Sequence, residues 1–278
     1  MPRTVEAFAP AKINLTLHVT GQRDDGYHLL DSLVAFADVG DRIHVRPADE
    51  ISLAVKGLYS GCIPSVKSNL VWQAAEWFGT PPVEISLHKE LPPSSGIGGG
   101  SSDAAAVIRA LSDVFEVPLP QPADTVTLGA DVPVCMSPTA QRMRGIGEQL
   151  EPVEGLPDVW AVLANPGFPI KTDEIFKNLA IKSNDPMPKD LPGFRSVRAF
   201  CTWLREQRND LESTACKIEP RLNEVFAAIS HTQPLLTRMS GSGATCFGLY
   251  KDFGDATLAA KLIEQANPDW WVREVCLN

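Results

Sequence analysis

Four glycines set within sixteen residues constrain this chain more than any other stretch: Leu91-Pro92-Pro93-Ser94-Ser95-Gly96-Ile97-Gly98-Gly99-Gly100-Ser101-Ser102-Asp103-Ala104-Ala105-Ala106. A strand is expected to lead in, because Val83, Ile85 and Leu87 alternate with Glu84, Ser86 and His88. A helix is expected to leave. Ser101, Ser102 and Asp103 are residue types that cap helix starts, and Val107, Ile108, Leu111, Val114 and Phe115 fall on one helical face. Glycines just before a helix let the backbone turn with no side chain in the way. The free N–H groups and the positive end of the helix dipole then form a cradle for an anion, most often a phosphate.

Other readings of the loop are open at this point. It could be a plain tight connection between strand and helix. Gly96-Ile97-Gly98 also begins like the dinucleotide fingerprint G-x-G-x-x-G of an oxidoreductase. That reading is disfavoured, because Ser101 stands at the third glycine and the stretch lies in mid-chain. The acidic ribose-binding residue about 20 positions on is missing too, since Gln121 to Asp124 fall in a Pro-rich loop. A Walker A loop is excluded, because no Lys-Ser or Lys-Thr follows the glycines.

Composition narrows what the anion and its host could be. At net charge −9 a broad nucleic-acid-binding surface is not expected, so local donors and a few lysines must hold an anionic ligand. The 278 residues, 44% hydrophobic, suffice for a sizeable core and favour two domains over one. Composition turns to Pro, Gly and acidic residues over Glu151 to Pro157, which places the expected domains at 1–152 and 153–278. No apolar run approaches the ~20 residues of a membrane span, and the opening residues lack a signal-peptide core, so a cytoplasmic location away from membranes is expected. Cys62, Cys135, Cys201, Cys216, Cys246 and Cys276 show no C-x-x-C spacing and read as reduced thiols. No structural metal is expected.

The rest of the chain supplies candidates for chemistry. From Phe8 to Val19, Ile13, Leu15, Leu17 and Val19 share one face of an expected strand, and Lys12, Asn14, Thr16 and His18 share the other. That polar face is either simply wet or projects Lys12 and Asn14 into a cleft. Residues 21–26 form a turn, and Tyr27-His28 open a strand or short helix. Asp41 to Arg46 and Ile51 to Lys56 read as separate short strands. Ser68-Asn69 caps a helix with Leu70, Val71, Ala74, Ala75 and Phe78 on its buried face. After the Pro-rich residues 118–122, Asp131 stands in an apolar string, either as a turn residue or as a partly desolvated carboxylate. A strand over Val159 to Leu163, a helix from Thr172 carrying Phe176, and an exposed loop over Ser183 to Pro192 follow. A helical region runs from Asn209-Asp210-Leu211-Glu212 toward Ile229. A second glycine loop spans Met239 to Gly248, before a helix (Ala256 to Ala266) and a strand (Trp271 to Val275). The mixture lacks strict alternation, which favours α+β.

Three stretches in this order, Pro10-Ala11-Lys12-Ile13-Asn14-Leu15, Leu91 to Ala106 and Met239 to Gly248, resemble the GHMP kinases. With Gly26-Tyr27-His28, Gly129-Ala130-Asp131-Val132-Pro133 and Asn209-Asp210-Leu211-Glu212, the chain is similar to one branch of them. That branch phosphorylates the C2 hydroxyl of 4-diphosphocytidyl-2-C-methyl-D-erythritol on the non-mevalonate route to isoprenoids. The resemblance implies an N-terminal domain like ribosomal protein S5 domain 2, a ferredoxin-like C-terminal domain, and ATP and substrate meeting between them. It implies ATP with Mg²⁺ as cofactor, a small-molecule substrate, and a monomer or weak homodimer. Lys12 and Asp131 match the family's catalytic pair. Pro92, Pro93, Ser94, Ser95, Gly96, Ile97, Gly98, Gly99, Gly100, Ser101 and Ser102 match its phosphate loop, with Asn69 near the adenine. Asn14, Tyr27, His28, Lys89, Thr172 and Phe176 match its substrate-contacting positions. Other GHMP small-molecule kinases and a non-catalytic nucleotide-binding homologue are the alternatives. The chain departs from the pattern at Ser94-Ser95, where glycines are common, and over Leu119 to Leu128, where a longer helix is expected.

Overall fold

The computed structural model describes residues 4–278. In chain order the elements are β1 (Val5–Asn14), β2 (His18–Gln22), β3 (His28–Pro47), β4 (Ser52–Lys56), α1 (Leu70–Phe78), β5 (Val83–His88) and α2 (Gly99–Phe115). Then come α3 (Val132–Cys135), β6 (Gln141–Gly145), β7 (Gln149–Pro152), β8 (Val159–Asn165), α4 (Thr172–Lys177) and α5 (Val197–Glu206). The chain closes with α6 (Glu212–Ile218), α7 (Leu222–His231), β9 (Leu236–Met239), β10 (Cys246–Tyr250), α8 (Phe253–Ala266) and β11 (Trp271–Leu277). They group into two compact units that interleave along the chain. The first takes residues up to Lys12, Val39–Pro93 and Gly98–Pro138; the second takes Ile13–Asp38, Ser94–Ile97 and Thr139–Asn278.

In the first unit the far half of β3 runs antiparallel to β5, from Arg42 opposite His88 to Pro47 opposite Val83. β4 lies parallel on the other side of β5. The alternation anticipated for β5 is present, with Val83, Ile85 and Leu87 buried. α1 and α2 pack on each other, and the alanines Ala74, Ala75, Ala104 and Ala105 are almost fully buried. Asn69 caps α1 as expected, its Oδ1 accepting the Val71 N–H at 2.9 Å. α2 begins earlier than its Ser-Ser-Asp run suggested. Its cap is Gly98 at φ +64°, and the helix starts at Gly99, because the left-handed turn demands a residue without Cβ.

In the second unit the near half of β3 pairs antiparallel with β2 and with β6, which turns back into β7. β11, β8, β10 and β9 form an antiparallel run, with Leu277 of β11 opposite Ala37 of β3. α7 and α8 pack on these strands, around a core that includes Val162, Val225, Ile229, Ala260 and Val272.

Several expectations change. The strand expected from Phe8 to Val19 breaks after Asn14, and its polar face is not wet. Lys12, Asn14, Thr16 and His18 are 3%, 1%, 0% and 1% exposed, because each finds a partner. The short strand at Asp41 to Arg46 is the end of the 20-residue β3. Helix α5 was not anticipated, although its signal was present: Ser196 Oγ accepts the Ala199 N–H at 3.2 Å, and Phe200, Cys201 and Leu204 bury on one face. The helix after Asn209 breaks at Glu219-Pro220, since proline disfavours helix in the residue before it. The loop over Ser183 to Pro192 is anchored, with Met187 only 2% exposed. Arg142 forks onto Asp31 at 2.7 and 2.8 Å and donates to the carbonyls of Met187, Pro188 and Lys189.

Candidate active site

In the first unit, β1 delivers Lys12 and the turn before α3 delivers Asp131. Lys12 Nζ lies 2.9 Å from Asp131 Oδ2, with side-chain exposures of 4% and 36%. The ammonium is therefore buried while the carboxylate, a turn residue, is only partly desolvated and reaches solvent. Gly98 lies against the same lysine: a Cβ there would come within 3.2 Å of Lys12 Cβ and Cε. The glycine loop can thus run beside Lys12 only because residue 98 has no side chain. Beyond it, Gly100 faces open space, and the first N–H groups of α2 lack intrahelical acceptors. Ser102 Oγ, buried in that first turn, has no hydrogen-bond partner. Such a turn is suited to an anion.

Two residues expected here are engaged elsewhere. Asn69 is 7% exposed and spends both ends of its amide locally, on Val71 N and, at 2.7 Å, on the Pro64 carbonyl. Lys89, expected at the substrate, is 2% exposed and its ammonium is gripped by Asp41 and Asp103. It does not reach solvent to touch a substrate. Burial pulls the Lys89 ammonium down, but the charges of Asp103 and Asp41 outweigh it and hold the group above the usual lysine range.

In the second unit the two glycine loops lie backbone to backbone. A Cβ on Gly96, which sits at φ +75°, would strike the Ser240 carbonyl and come within 2.7 Å of Gly243 N. Ser240, fully buried, accepts the Asn14 N–H at 3.1 Å and donates to the Gly96 carbonyl at 3.0 Å. One hydroxyl thus ties the end of β1 to the loop. Thr245 N donates to the Ser95 carbonyl at 3.0 Å. Asn209 holds the second loop from behind, donating to the carbonyls of Met239 and Gly241 at 2.8 and 2.9 Å. Glu212 accepts the Met239 N–H at 3.0 Å. These motifs stood out in the sequence, but their bracing roles did not. Ser94 adopts φ +50°, a left-handed conformation that favours glycine. The serine there carries a local strain that a glycine would not.

The aromatic candidates separate. Tyr27 is 58% exposed and so is no core residue. Phe176 stacks on His28, with ring centroids 4.8 Å apart and planes at 27°. Burial, with the Lys182 charge adding, holds the His28 imidazole below its ordinary value of 6.5, so it is neutral at pH 7. Its Nε2 is buried with no partner. Thr172 Oγ1 lies 2.8 Å from Ser242 Oγ in the second glycine loop, and Asn14 Nδ2 donates to Ser32 Oγ at 2.8 Å.

Comparison with known proteins places this geometry. The family described as GHMP kinases N terminal domain matches residues 69–140, and that described as GHMP kinases C terminal matches residues 191–267, together more than half of the chain. The chain belongs to the GHMP kinases. This GHMP kinase is 53% identical over 270 residues to the 4-diphosphocytidyl-2-C-methyl-D-erythritol kinase of Cereibacter sphaeroides (strain ATCC 17029 / ATH 2.4.9), covering 96% of this chain and 97% of the relative. It is 46% identical to the enzyme of that name in Paracoccus denitrificans (strain Pd 1222), covering 98% and 96%. Among solved structures, a 4-(cytidine 5'-diphospho)-2C-methyl-D-erythritol kinase superposes with a TM-score of 0.80 at 33% identity, covering 99% of each chain. A homoserine kinase from Cytophaga hutchinsonii shares the fold, with a TM-score of 0.64 at 16% identity. The expected two-domain α+β GHMP fold is the fold of this chain. No helix among the described residues is long and apolar enough to cross a membrane.

Proposed function

We propose that this GHMP kinase transfers the γ-phosphoryl group of ATP to the C2 hydroxyl of 4-diphosphocytidyl-2-C-methyl-D-erythritol, a step on the non-mevalonate route to isoprenoid precursors. The observation that carries the reading is the Lys12–Asp131 pair, 2.9 Å apart and open to solvent on the carboxylate side, with the glycine loop running beside the lysine. Phosphoryl transfer demands in-line positioning and charge neutralisation more than covalent work. Asp131 takes the proton of the attacking hydroxyl as that oxygen closes on the γ-phosphorus. Lys12 holds the carboxylate in place through their 2.9 Å contact and stabilises the developing alkoxide. The backbone from Pro92 to Ser102 cradles the phosphates, and the segment around Asn69 borders the adenine.

The donor set also fits Mg²⁺. Among the described residues no group of three or more His, Cys, Asp or Glu side chains could hold a metal by itself, while Ser102 Oγ is an unpaired buried oxygen donor. The ion would be held by phosphate oxygens with Ser102, as Mg²⁺ in nucleotide sites commonly is, and it supplies neutralisation of the triphosphate charge.

On the acceptor side, Tyr27 stacks on the cytosine, the stacked His28–Phe176 pair borders it, and Thr172 orients the erythritol, with Asn14, itself buried, supporting the site from behind. In sequence we place the boundary between N- and C-terminal domains near residues 152 and 153, between family matches that end at 140 and resume at 191, whereas the compact units interleave, Ile13–Asp38 and Ser94–Ile97 grouping with Thr139–Asn278. Six free cysteines suit a reducing cytoplasm, and the charge of −9 argues against nucleic acid as a partner. A monomer or weak homodimer is the assembly we expect. Purified protein with Mg-ATP and the cytidyl substrate should release ADP, and mevalonate or homoserine in parallel should not support release. Absence of ADP above background with the cytidyl substrate would refute the assignment.

A further inference from the structure

One cluster of ionisable side chains takes no part in the chemistry above. It lies in the first unit at the start of α2. Lys89 directly follows β5, and its Nζ is 2.5 Å from Asp41 Oδ2 and 2.7 Å from Asp103 Oδ2. The side chains of all three are 4% exposed or less. Asp41 has a second engagement: its Oδ1 accepts the backbone N–H groups of Glu90 at 2.6 Å and Leu91 at 2.9 Å. Those two residues carry the chain into the glycine loop. Asp103 stands on α2, the helix that carries it out. A Cβ on Gly99 would come within 3.2 Å of Lys89 Nζ, so the ammonium sits directly behind the first helical residue.

Two carboxylates and one ammonium are costly to bury, and apolar side chains of similar volume commonly fill such a space as stably or more so. The cluster is therefore poorly explained as a source of stability and well explained as a source of geometry. The loop it flanks is rich in glycine, the residue that loses most freedom on ordering. A loop of this kind holds a shape only if its ends are fixed. Burial pushes the Asp103 carboxyl up to about 8, against the opposing charge of Lys89 and with the like charge of Asp41 adding. Near neutrality the cluster thus carries little net charge.

We propose that Lys89 is a positioning residue for the glycine loop: through Asp41 it grips the entry, through Asp103 it grips the exit, and so it presets the loop's N–H groups for a nucleotide phosphate. The proposal rests on the reading of the loop as the phosphate cradle. Lys89 touches no reacting atom in this role. It acts on nucleotide affinity and leaves affinity for the acceptor alone, opposite to the expectation for a substrate contact.

The test uses the full chain with Lys89→Met, Asp103→Ala and Asp103→Asn. It reads calorimetric binding of a non-hydrolysable ATP analogue, the acceptor KM, and amide exchange over residues 89–103. Lys89→Met should weaken the analogue by about tenfold or more, since preorganisation is lost, while acceptor KM stays within about twofold. Asp103→Ala leaves a neutral Lys89–Asp41 pair, so it serves even if Lys89→Met does not fold. It should weaken the analogue by about fivefold or more and speed exchange from Ser102 onward in the first turns of α2, where the Ser102 N–H is held by the Gly98 carbonyl at 2.8 Å, with Glu90 and Leu91 still protected by Asp41. Asp103→Asn keeps an acceptor for Lys89 and should recover most of the affinity. A folded Lys89→Met or Asp103→Ala protein with parental analogue affinity and parental loop exchange overturns the proposal. So does a Lys89→Met protein that loses only acceptor affinity. If the parent chain turns over no substrate, the kinase assignment fails by itself, and amide exchange, which needs no ligand, still decides whether Lys89 fixes both ends of the loop.

Discussion

Lys12 and Lys89 are both buried ammonium groups of the same unit, 3% and 2% exposed, and they are held in opposite ways. Lys12 meets Asp131, whose side chain is 36% exposed. Lys89 meets two carboxylates that are 0% and 4% exposed. The Asp131 carboxylate is open to solvent, whereas the groups around Lys89 are sealed from it. The difference teaches that a buried charge alone does not mark chemistry. The accessibility of its partner does.

That comparison is most sharply tested at Asp131. Asp131→Asn keeps shape but cannot accept the proton, and kcat should fall by roughly 10²–10⁴-fold with acceptor KM nearly constant. A loss below about tenfold would turn Asp131 into a second brace. The sealed site should respond in the opposite currency. Lys89→Met leaves buried carboxylates unpaired and should cost about 3–5 kcal/mol of stability, read by urea unfolding. Asp131→Asn keeps an amide oxygen as acceptor for Lys12 in a half-open pair and should cost less than Lys89→Met. If the two stability losses come out in reverse order, the contrast between reacting pair and brace collapses.

Exposure separates the aromatics in the same way. Tyr27, at 58% exposed, should raise acceptor KM by about tenfold when changed to Ala, as loss of a stacked base contact does, with Tm unchanged. A lowered Tm with normal KM would return Tyr27 to an ordinary packing role. A further effect is expected from pH. Asp103 binds its proton more tightly in the fold, at about 8, than at its ordinary 3.8. Its contribution to stability is therefore full below the ordinary value and is lost as pH rises through the folded one. The Tm of the parent should decline across that window, and Asp103→Asn should flatten the decline. An unchanged slope in Asp103→Asn would assign the decline to other groups.

Legibility in the sequence followed the range of the interactions. The alternation of β5, the apolar face of α2, the Asn69 cap and the two glycine loops were all readable, because each is set by neighbours within a helical turn or a strand step. Lys12 and Asp131 were readable as a pair only through the family pattern, since 119 residues separate them. The start of α2 was misjudged by one short step: Ser101 and Ser102 are good capping types, but the left-handed turn at Gly98 places the helix start earlier.

Local pattern by itself thus determined β5, the body of α2, the Asn69 cap and the two glycine turns, but not α5 or the full length of β3. Only tertiary structure decided what the polar side chains do. The polar face of β1 could be read as a wet strand edge or as one side of a cleft until Asn14 met Ser32 and Ser240, 18 and 226 residues away. Lys89 looked like a substrate contact until Asp41 and Asp103, 48 and 14 residues away, closed around it. The physical reason is that backbone preference and side-chain periodicity are properties of a few consecutive residues. The burial of a charge is tolerated only where distant segments bring it a partner.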